Sequence, residues 1–406
     1  MPRLVLVLPS GSYRAEDFLE AAEAAEVDVI VASEVDQAMG AAMADRALRI
    51  DLCDPVAAAD AIVERARWTP VDGIVAVDDG GVLVAARAGA RLGLRHNDPS
   101  AVAATRDKSL LRTRLAAAGI PQPDHRLVED GGDVSAAAAD IGFPVVVKPV
   151  GLSGSRGVIR ADDPGQAAAA AARIRSILAD AGEDPAGPLL VERFVAGAEV
   201  AVEALLVDGA MRTLAVFDKP DPLDGPYFEE TIYVTPSRHP AAGAAAALVE
   251  RAAAAIGLTQ GPLHAEVRLA ADGPRLLELA ARSIGGLCSR CLRFGAGISL
   301  EELIVRHAAR LELPSGGAEG ASGVMMIPIP ATGVLERVGG TEAAGCVPGV
   351  DGVVITVAPG RPVRALPEGD RYLGFVFARG PSPAAVEESL RAAHAALEVV
   401  ITPPPK

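Results

Sequence analysis

The sequence predicts an α/β protein built from several packed units. Its first hundred residues alternate apolar runs with alanine-rich helical stretches, and its second half is richer in strands. At 406 residues, with 50% hydrophobic and 22% charged side chains, the chain has the composition of a folded protein and exceeds one small core. We therefore expect two to four packed units.

The first predicted unit covers residues 1–95 and is a small doubly wound domain. The apolar runs LVLVL, VDVIVASE and VDGIVAV alternate with the helical patterns RAEDFLEAAEAAE and VLVAARAGARLG. This rhythm is typical of a parallel sheet with helical crossovers. The turn LPSGSY after the first strand lacks the Gly-x-Gly-x-x-Gly phosphate loop, which argues against an oxidoreductase.

The second predicted unit, residues 96–180, begins with one long helix. Asn97, Asp98 and Ser100 are candidate caps, and the helical pattern continues through Lys108 to a stop at Gly119. Beyond it, FPVVVKPV is predicted as a strand, and a further helix is expected from about Asp163.

Strands are predicted to dominate the rest of the chain. Residues 181–320 contain the runs PLLVERFV, EVAVEALLVDG, MRTLAVFDK, GPLHAEVRLA and PRLLELAAR. The loop over residues 312–323 is a candidate domain boundary. Residues 321–406 are predicted as a mixed α+β subdomain, with VMMIPIPA, GVVITVAP and LGFVFARG in a closing sheet and one helix over 382–397.

Charge, hydropathy and cysteine content exclude several classes of partner and location. The net charge of -15 argues against nucleic acid, because phosphate neutralisation needs clustered Lys and Arg. The apolar run that opens the chain is too short for a signal peptide or a membrane span, so no membrane contact is expected. Four cysteines in so long a chain form no disulfide framework, so a cytoplasmic location is expected.

A lysine at the end of a valine-rich strand is followed by a loop of glycine and serine. The lysine is Lys148, and its loop contains Gly151, Ser153, Gly154, Ser155 and Gly157. Such a loop can fold its backbone N–H groups over an anion, and with the lysine it would surround a polyphosphate. An ordinary hairpin turn is the alternative.

Two glutamates are predicted to face each other across a hairpin. LHAEVRL places His264 and Glu266 on one strand face, and RLLELAAR places Glu278 on the next strand. If the Asp-Gly loop closes so that Leu269 faces Arg275, then Glu266 lies opposite Glu278. Facing carboxylates favour a hard cation such as Mg²⁺. A bulge that shifts the register and leaves both on a solvated face is the alternative.

The stretch between these motifs is predicted to be a strand with a short extended hinge. Glu192 ends an apolar strand, Phe194 and Val195 continue it, and Gly197 bends the chain before Glu199. Unpaired backbone groups would suit an adenine edge, and a nearby carboxylate would suit ribose hydroxyls. The alternative is a hairpin with solvent-facing glutamates.

The ordered set of these motifs resembles the ATP-grasp carboxylate–amine ligases. The matching positions, from about residue 105 to 310, are Lys108, Lys148 with its loop, Glu192, Val195, Glu199, Glu266, Glu278 and Arg282. The preceding domain is similar to the family's pre-ATP-grasp domain, and residues 324–406 resemble the C-terminal subdomain of the amino-acid ligase branch. The resemblance therefore implies an ATP-grasp fold.

The resemblance also implies a role for each matching residue. The two lysines would contact ATP phosphates beneath a flap over residues 153–157, the segment from Glu192 to Val195 would bind adenine, and Glu199 would bind ribose. Glu266 and Glu278 would hold Mg²⁺, with Mn²⁺ as the alternative ion, and Arg282 would stabilise an acyl phosphate. Ala280 stands where the family commonly has Asn, so one metal ligand is missing.

Several further residues are candidates for contacting the substrates. The segment 217–237 is rich in aromatics and is predicted to be either a functional lid or a packed loop. Its candidates are Phe228, Glu229 and Glu230, and Gly285 and Gly286 are added beyond Arg282. His264 would contact substrate or the transferred phosphoryl group, or it is satisfied by a neighbouring carboxylate.

The predicted function is ATP-dependent joining of a small-molecule carboxylate, expected to be an amino acid, to an amine through an acyl phosphate. The alternatives are a bicarbonate- or purine-pathway-type ATP-grasp enzyme and a catalytically silent nucleotide-binding protein, which Ala280 supports. The substrates cannot be named from sequence, and a homodimer is the ordinary expectation for such an enzyme.

Overall fold

The structure is a computed structural model that describes residues 1–35 and 46–403. Its described strands form four β-sheets, which helices flank. The α/β class is as predicted. No helix within the described ranges has the length and hydropathy needed to cross a membrane.

The N-terminal unit is a four-stranded parallel sheet in the order β3-β2-β1-β4. Its elements are β1 Arg3–Val7, α1 Ala15–Ala24, β2 Asp28–Ser33, β3 Ala47–Arg49, α2 Pro55–Trp68, β4 Gly73–Ala76 and α3 Val82–Leu92. The chain runs outward on one side of β1 to β2 and β3 and then crosses to β4 on the other side. In such sheets, ligands bind in the crevice at the carboxyl ends of the strands flanking this reversal.

Two helices replace the single long helix expected after residue 96. They are α4 Pro99–Arg106 and α5 Lys108–Ala117. Asp107 between them has an extended backbone, with φ -122°, and its carboxylate accepts hydrogen bonds from the backbone N–H groups of Ser109 and Leu110. An N-cap therefore starts a new helix at Lys108.

A second sheet, the lid sheet, has the order β5-β8-β6-β7 and is antiparallel. Its elements are β5 His125–Val128, α6 Val134–Ile141, β6 Val145–Pro149, β7 Ile159–Ala161, α7 Pro164–Asp180 and β8 Leu189–Arg193. The two helices bury their apolar side chains against one sheet face. Strand β8 joins this sheet although it lies beyond the boundary expected at residue 180.

The central sheet has eight strands in the order β13-β12-β9-β10-β11-β14-β18-β16. Its elements before residue 310 are β9 Ala198–Val207, β10 Ala210–Lys219, β11 Ile232–Thr235, α8 Ala242–Ile256, β12 Gly261–Ala270, β13 Gly273–Ala280 and α9 Leu300–Ala308. One face of β9, with Val200, Val202 and Ala204, packs against α8, α5 and α4. The opposite face looks toward the N-terminal unit.

The C-terminal strands extend this central sheet. The elements are β14 Ala321–Ile327, β15 Gly333–Gly339, α10 Thr341–Gly345, β16 Val350–Ile355, β17 Pro362–Val363, β18 Gly374–Gly380, α11 Pro383–Ala395 and β19 Glu398–Thr402. Three of them, β14, β18 and β16, continue the central sheet through the pairing of β11 with β14. The three runs expected in a closing sheet are neighbours here and extend the central sheet, and a separate small sheet is β17-β15-β19.

Candidate active site

A cavity of about 480 Å³ lies between the N-terminal unit, the lid sheet and the central sheet. The carboxyl ends of β1 and β4 contribute Pro9, residues 11–14 and residues 78–80, as the topology of that sheet predicts. The lid sheet contributes the glycine-rich loop, and the C-terminal part of the chain contributes residues 370–372 and Phe375. All the chemistry-bearing motifs in the sequence therefore reach one space.

The floor of the cavity is one face of β9 and its neighbours. Glu199 on β9 pairs in register with Lys219 on β10 and with Arg268 on β12. Its Oε1 lies 2.6 Å from Lys219 Nζ and its Oε2 lies 2.9 Å from Arg268 Nη2. The register of three strands thus gives this buried carboxylate a cation on each side.

Glu266 and Glu278 face each other across β12 and β13, as predicted. The route to this pairing differs from the expected one, because Leu269 pairs with Pro274 instead of Arg275. A bulge between the Glu266 and Val267 pairs then shifts the register by one residue. The bulge that we considered as the alternative is present, and it brings the glutamates opposite each other.

Three carboxylates converge beside that pair. Glu199, Glu230 and Glu266 each place a ligand oxygen within 4.8 Å of the others. Lys219 contacts all three, with its Nζ 3.2 Å from Glu266 Oε1. Burial and the Glu266 charge raise the pKa of Glu230 to about 7. Burial alone would lower the pKa of Lys219, but the neighbouring carboxylates raise it well above its usual value. The negative charge of this cluster, together with Glu278, suits a divalent cation with oxygen ligands.

His264 is satisfied by carboxylates from its own sheet. Its Nδ1 pairs with Glu203 on β9, and its Nε2 lies 3.6 Å from Glu266 Oε1. Burial alone would lower the pKa of His264, but Glu203 raises it to about 9. The neighbouring carboxylate that we considered as the alternative partner of His264 is therefore present, and His264 also lines the cavity.

A buried triad of charged side chains joins the lid sheet to α5. Glu192 accepts a hydrogen bond from Lys148 Nζ at 2.7 Å and from Arg112 Nε at 2.6 Å. Burial opposes ionisation, but Arg112 and Lys148 lower the pKa of Glu192 to about 2. Burial lowers the pKa of Lys148. Lys108 reaches the same end of the cavity and donates from Nζ to Leu152 O at 2.6 Å.

The glycine-rich loop covers this end of the cavity. Ser153, Gly154 and Ser155 line the cavity, and Gly154 and Ser155 have positive φ values of 67° and 57°. Gly157 does not line it, because its N–H donates to Pro367 O at 3.0 Å and it packs against Pro149. Gly157 is thus an anchor of the loop, in contrast to the ligand contact that we expected.

The hinge offers less free backbone than expected. The N–H groups of Arg193 and Phe194 donate to Asp124 O at 2.8 Å and Pro144 O at 3.0 Å. No acceptor for the N–H of Val195 is found in residues 1–35 or 46–403. The adenine contact predicted for this hinge therefore falls on Val195. The Phe194 ring lines the cavity and lies beneath the Arg160 guanidinium, 4.5 Å from its carbon.

The candidate substrate residues divide between the cavity wall and its surroundings. Phe228 and Glu230 line the cavity, and Glu229 does not. Gly285 and Gly286 also line it. Gly286 has a φ of 60°, and a Cβ there would lie 2.9 Å from the ring of Phe375, so this position requires glycine.

An aromatic wall lines the part of the cavity formed by the N-terminal unit and the C-terminal strands. Phe375 contacts Tyr13 and Tyr372 edge to face, with ring centroids 6.2 Å apart in both pairs. Met326 and Cys288 line the same region. The cavity therefore has a charged end beneath the loop and an apolar end around Phe375, next to which Arg14, Asp78 and Asp79 also line the cavity.

Several functional neighbours escaped the sequence reasoning. Lys219 could have been found, because the Asp-Gly turn between β9 and β10 sets it nearly opposite Glu199 by the argument used for Glu266. Asp79, which pairs with Arg282 at 2.8 Å, and Arg112 carry no local signal. Their contacts join residues far apart in the chain.

Three family models match consecutive parts of the chain. The ATP-grasp N-terminal domain matches residues 19–96, the ATP-grasp domain matches residues 141–291, and the L-amino acid ligase C-terminal domain 2 matches residues 325–402. The crystal structure of an L-amino acid ligase from Bacillus licheniformis superposes with a TM-score of 0.81 at 23% identity, over 99% of both chains. The predicted ATP-grasp fold is thereby confirmed.

Two relatives show the same similarity at the level of sequence. An uncharacterized protein of Sinorhizobium fredii is 26% identical over 309 residues, which are 75% of this chain and 63% of that protein. Alanine–anticapsin ligase of Bacillus subtilis is 26% identical over 263 residues, which are 60% of this chain and 55% of that enzyme. The chain thus spans less than two thirds of the length of either relative.

Proposed function

This chain is an ATP-grasp protein with the C-terminal domain of the L-amino acid ligases, and we propose that it is an ATP-dependent carboxylate–amine ligase acting on an amino acid. One observation carries the proposal. A single cavity brings together two lysines, a glycine-rich loop, a facing pair of glutamates and Arg282. These are the groups needed to hold a polyphosphate and to stabilise its transfer.

The charged end of the cavity is the proposed nucleotide site. Lys108 and Lys148 contact the phosphates under Ser153, Gly154 and Ser155, and the Val195 backbone contacts adenine. Glu192 and Glu199 already accept hydrogen bonds from cations. They meet the nucleotide through their remaining lone pairs, since each ionised carboxylate has about four acceptor positions.

Glu266 and Glu278 are the proposed ligands of Mg²⁺, with Mn²⁺ as the alternative ion. Both line the cavity from paired positions on β12 and β13, and Glu230 adds negative charge beside them. When bound, the ion supplies positive charge to the oxygens of the transferred phosphoryl group.

The proposed reaction has two steps. A substrate carboxylate oxygen attacks the γ-phosphorus, the bond to the bridging oxygen of ADP breaks, and an acyl phosphate forms. An amine nitrogen then attacks the acyl carbon, loses a proton, and displaces phosphate to leave an amide. Arg282 donates to the carbonyl oxygen as negative charge develops there, and the glycine-rich loop excludes water.

The apolar end of the cavity supports an amino acid over bicarbonate as the activated acid. Tyr13, Met326, Tyr372 and Phe375 provide an apolar wall that bicarbonate, an ion of four non-hydrogen atoms without an apolar group, would leave unused. Glu230 and Phe228, between that wall and the metal ligands, are the proposed contacts for an amino group and its side chain. A cytoplasmic homodimer is the proposed form of the enzyme.

Ala280 is the observation that favours a silent nucleotide-binding protein. It is 3% exposed, pairs with His264 across the sheet, and does not line the cavity. Because this position holds alanine, it provides no side-chain oxygen as a further metal ligand beside Glu278. A protein of this kind would bind ATP and release no phosphate with any substrate.

The test is phosphate release from ATP and Mg²⁺ with the twenty L-amino acids, singly and in pairs. We expect release that depends on particular amino acids and falls about 100-fold or more in Glu278→Ala. Glu312→Ala, which changes an exposed glutamate off the cavity, is the matched control and should behave as wild type. Intact ATP binding without release in any mixture would contradict the ligase and leave the silent protein.

A further inference from the structure

The short 3-10 helix Asp79–Gly81 brings a carboxylate into the cavity that the proposed reaction does not use. Asp79 Oδ2 lies 2.8 Å from Arg282 Nη2, and Asp79 Oδ1 lies 3.1 Å from Arg106 Nη1. Arg282 also donates from Nη1 to Ser283 O at 3.0 Å. The guanidinium of Arg282 is therefore held at two of its three nitrogens.

The position of Asp79 is fixed by the N-terminal sheet. The helix follows β4 and turns at Gly81, where an added Cβ would lie 3.1 Å from Val7 O at the end of β1. Only a residue without a side chain allows this approach of the turn to β1. Asp79 consequently projects from the crevice between β1 and β4 toward the central sheet.

Asp79 and Arg282 form a charge pair that changes the pKa of both groups. Burial would raise the pKa of Asp79, but Arg282 and Arg106 hold it below its usual range. Burial would lower the pKa of Arg282, and Asp79 raises it. Without the carboxylate, Arg282 would lose its nearest counter-charge and would keep the charges of Glu278 and Glu203 from the central sheet.

The backbone that carries Arg282 is held independently of Asp79. Arg14 donates to Ser283 Oγ at 2.9 Å and to Ile284 O at 3.1 Å, and the Ile284 N–H donates to Glu203 at 3.0 Å. Arg14 and Glu203 thus fix the segment after Arg282. The contact with Asp79 therefore affects the direction of the Arg282 side chain and not the position of its backbone.

We propose that Asp79 is a positioning residue, through which the N-terminal α/β unit aims the Arg282 guanidinium at the reacting carboxylate. The inference rests on the function proposed above for Arg282. It gives the N-terminal unit a part in the chemical step in addition to forming one wall of the cavity. Asp79 acts through Arg282 and touches neither the nucleotide nor the acid.

The kinetic test is a double-mutant cycle with Asp79→Asn and Arg282→Lys. Asp79→Asn should lower kcat about 10- to 100-fold with little change in the KM for ATP, because a misdirected guanidinium weakens the transition state and not nucleotide binding. In the Arg282→Lys background, Asp79→Asn should cost less than about twofold, since the group it positions is gone. Equal losses in both backgrounds would overturn the proposal.

A second readout does not depend on turnover. In protein labelled with ¹⁵N-arginine, the Arg282 side-chain resonance is the one that Arg282→Lys removes. Asp79→Asn should shift it, Asp79→Glu should restore it in part, and Glu64→Gln, which breaks an exposed ion pair in the same unit, should leave it unmoved. An unmoved resonance in folded Asp79→Asn would overturn the proposal.

The two readouts separate this inference from the proposed function. A shifted resonance in a protein that releases no phosphate would support the positioning by Asp79 and contradict the ligase. An unmoved resonance in an active ligase would do the reverse. Thermal unfolding of each variant establishes that the protein measured is folded.

Discussion

At the scale of single residues, Lys219 is the counter-charge for one buried and two half-buried carboxylates. It contacts Glu199, Glu230 and Glu266 and is 7% exposed. Lys219→Met would leave like charges facing one another in a poorly solvated place. We expect the free energy of unfolding to fall by about 3 kcal/mol, measured by urea unfolding without divalent ions.

Divalent cations should reverse part of that loss. Millimolar Mg²⁺ should raise the melting temperature of Lys219→Met more than that of wild type, because the ion neutralises carboxylates that have lost their lysine. Lys219→Arg keeps the charge and is the matched control. A variant as stable as wild type in the absence of Mg²⁺ would show that Lys219 does not balance this cluster.

His307 should make the free energy of unfolding depend on pH in the acidic range. It lies on α9 near Arg95, Asp208 and His96, and burial followed by the Arg95 charge lowers its pKa to about 4. Because the unfolded chain binds the proton near pH 6.5, this stability is present above that value and lost as pH falls toward 4. The loss amounts to at most about 3 kcal/mol.

His307→Gln should remove this dependence, because glutamine does not titrate. Urea unfolding at pH 7, 5.5 and 4 should show the wild type losing more stability than the variant. His125→Gln, at a half-buried histidine on β5, is the control and should follow wild type. Parallel stability curves for wild type and His307→Gln would contradict the assignment.

At the scale of elements, hairpin register was the part of the site that sequence could predict. Alternation along β12 and β13 and the Asp-Gly turn were enough to set Glu266 opposite Glu278. The position of the bulge that completes the pairing was not predictable, and it coincides with contacts from a distant residue, since Arg112 donates to the carbonyl oxygens of Leu276 and Leu277. The assumption of a symmetric loop predicted the correct glutamate pair, although it paired Leu269 with Arg275 and the structure pairs Leu269 with Pro274.

The division between α4 and α5 shows a local signal that competed with periodicity. The helical pattern is continuous across Asp107, but Asp followed by Ser two residues on is also a capping sequence. The cap prevails, and it turns Lys108 so that its backbone N–H donates to Val150 O at 3.1 Å. The first lysine of the site therefore depends on this cap.

Asp107→Ala should cost about 1 kcal/mol of unfolding free energy, because two backbone N–H groups lose their acceptor. It should also raise the KM for ATP, since Lys108 follows directly. Asp133→Ala removes a similar cap from α6, away from the cavity, and should lower stability without changing the KM. Equal KM values in the two variants would contradict the link between this cap and Lys108.

At the scale of the whole molecule, a buried ion pair joins the N-terminal unit to the central one. Arg14 Nη2 lies 2.8 Å from Glu301 Oε1, and both side chains are almost fully buried. Arg14→Met leaves Glu301 unpaired and should lower the free energy of unfolding by about 3 to 5 kcal/mol. Adding Glu301→Gln to Arg14→Met should recover part of the loss in urea unfolding. No recovery would show that the charge is not the cause.

Unit order was predictable from sequence, whereas sheet membership was not. The N-terminal parallel sheet follows from local strand–helix rhythm. Strand β8 pairs with β5 and β6, and β14 pairs with β11, through contacts between distant segments. Local periodicity identifies a strand and contains no information about its partner.

In the proposed reaction, one oxygen of the substrate carboxylate is transferred to phosphate. The most direct measurement is mass spectrometry of the phosphate released when the protein turns over ATP with amino acids labelled with ¹⁸O in their carboxyl groups. We expect one ¹⁸O in each phosphate formed with the activated amino acid, and about 100-fold less labelled phosphate or lower from Glu278→Ala. Unlabelled phosphate from wild type would mean that water attacks ATP, and would contradict carboxylate activation in this cavity.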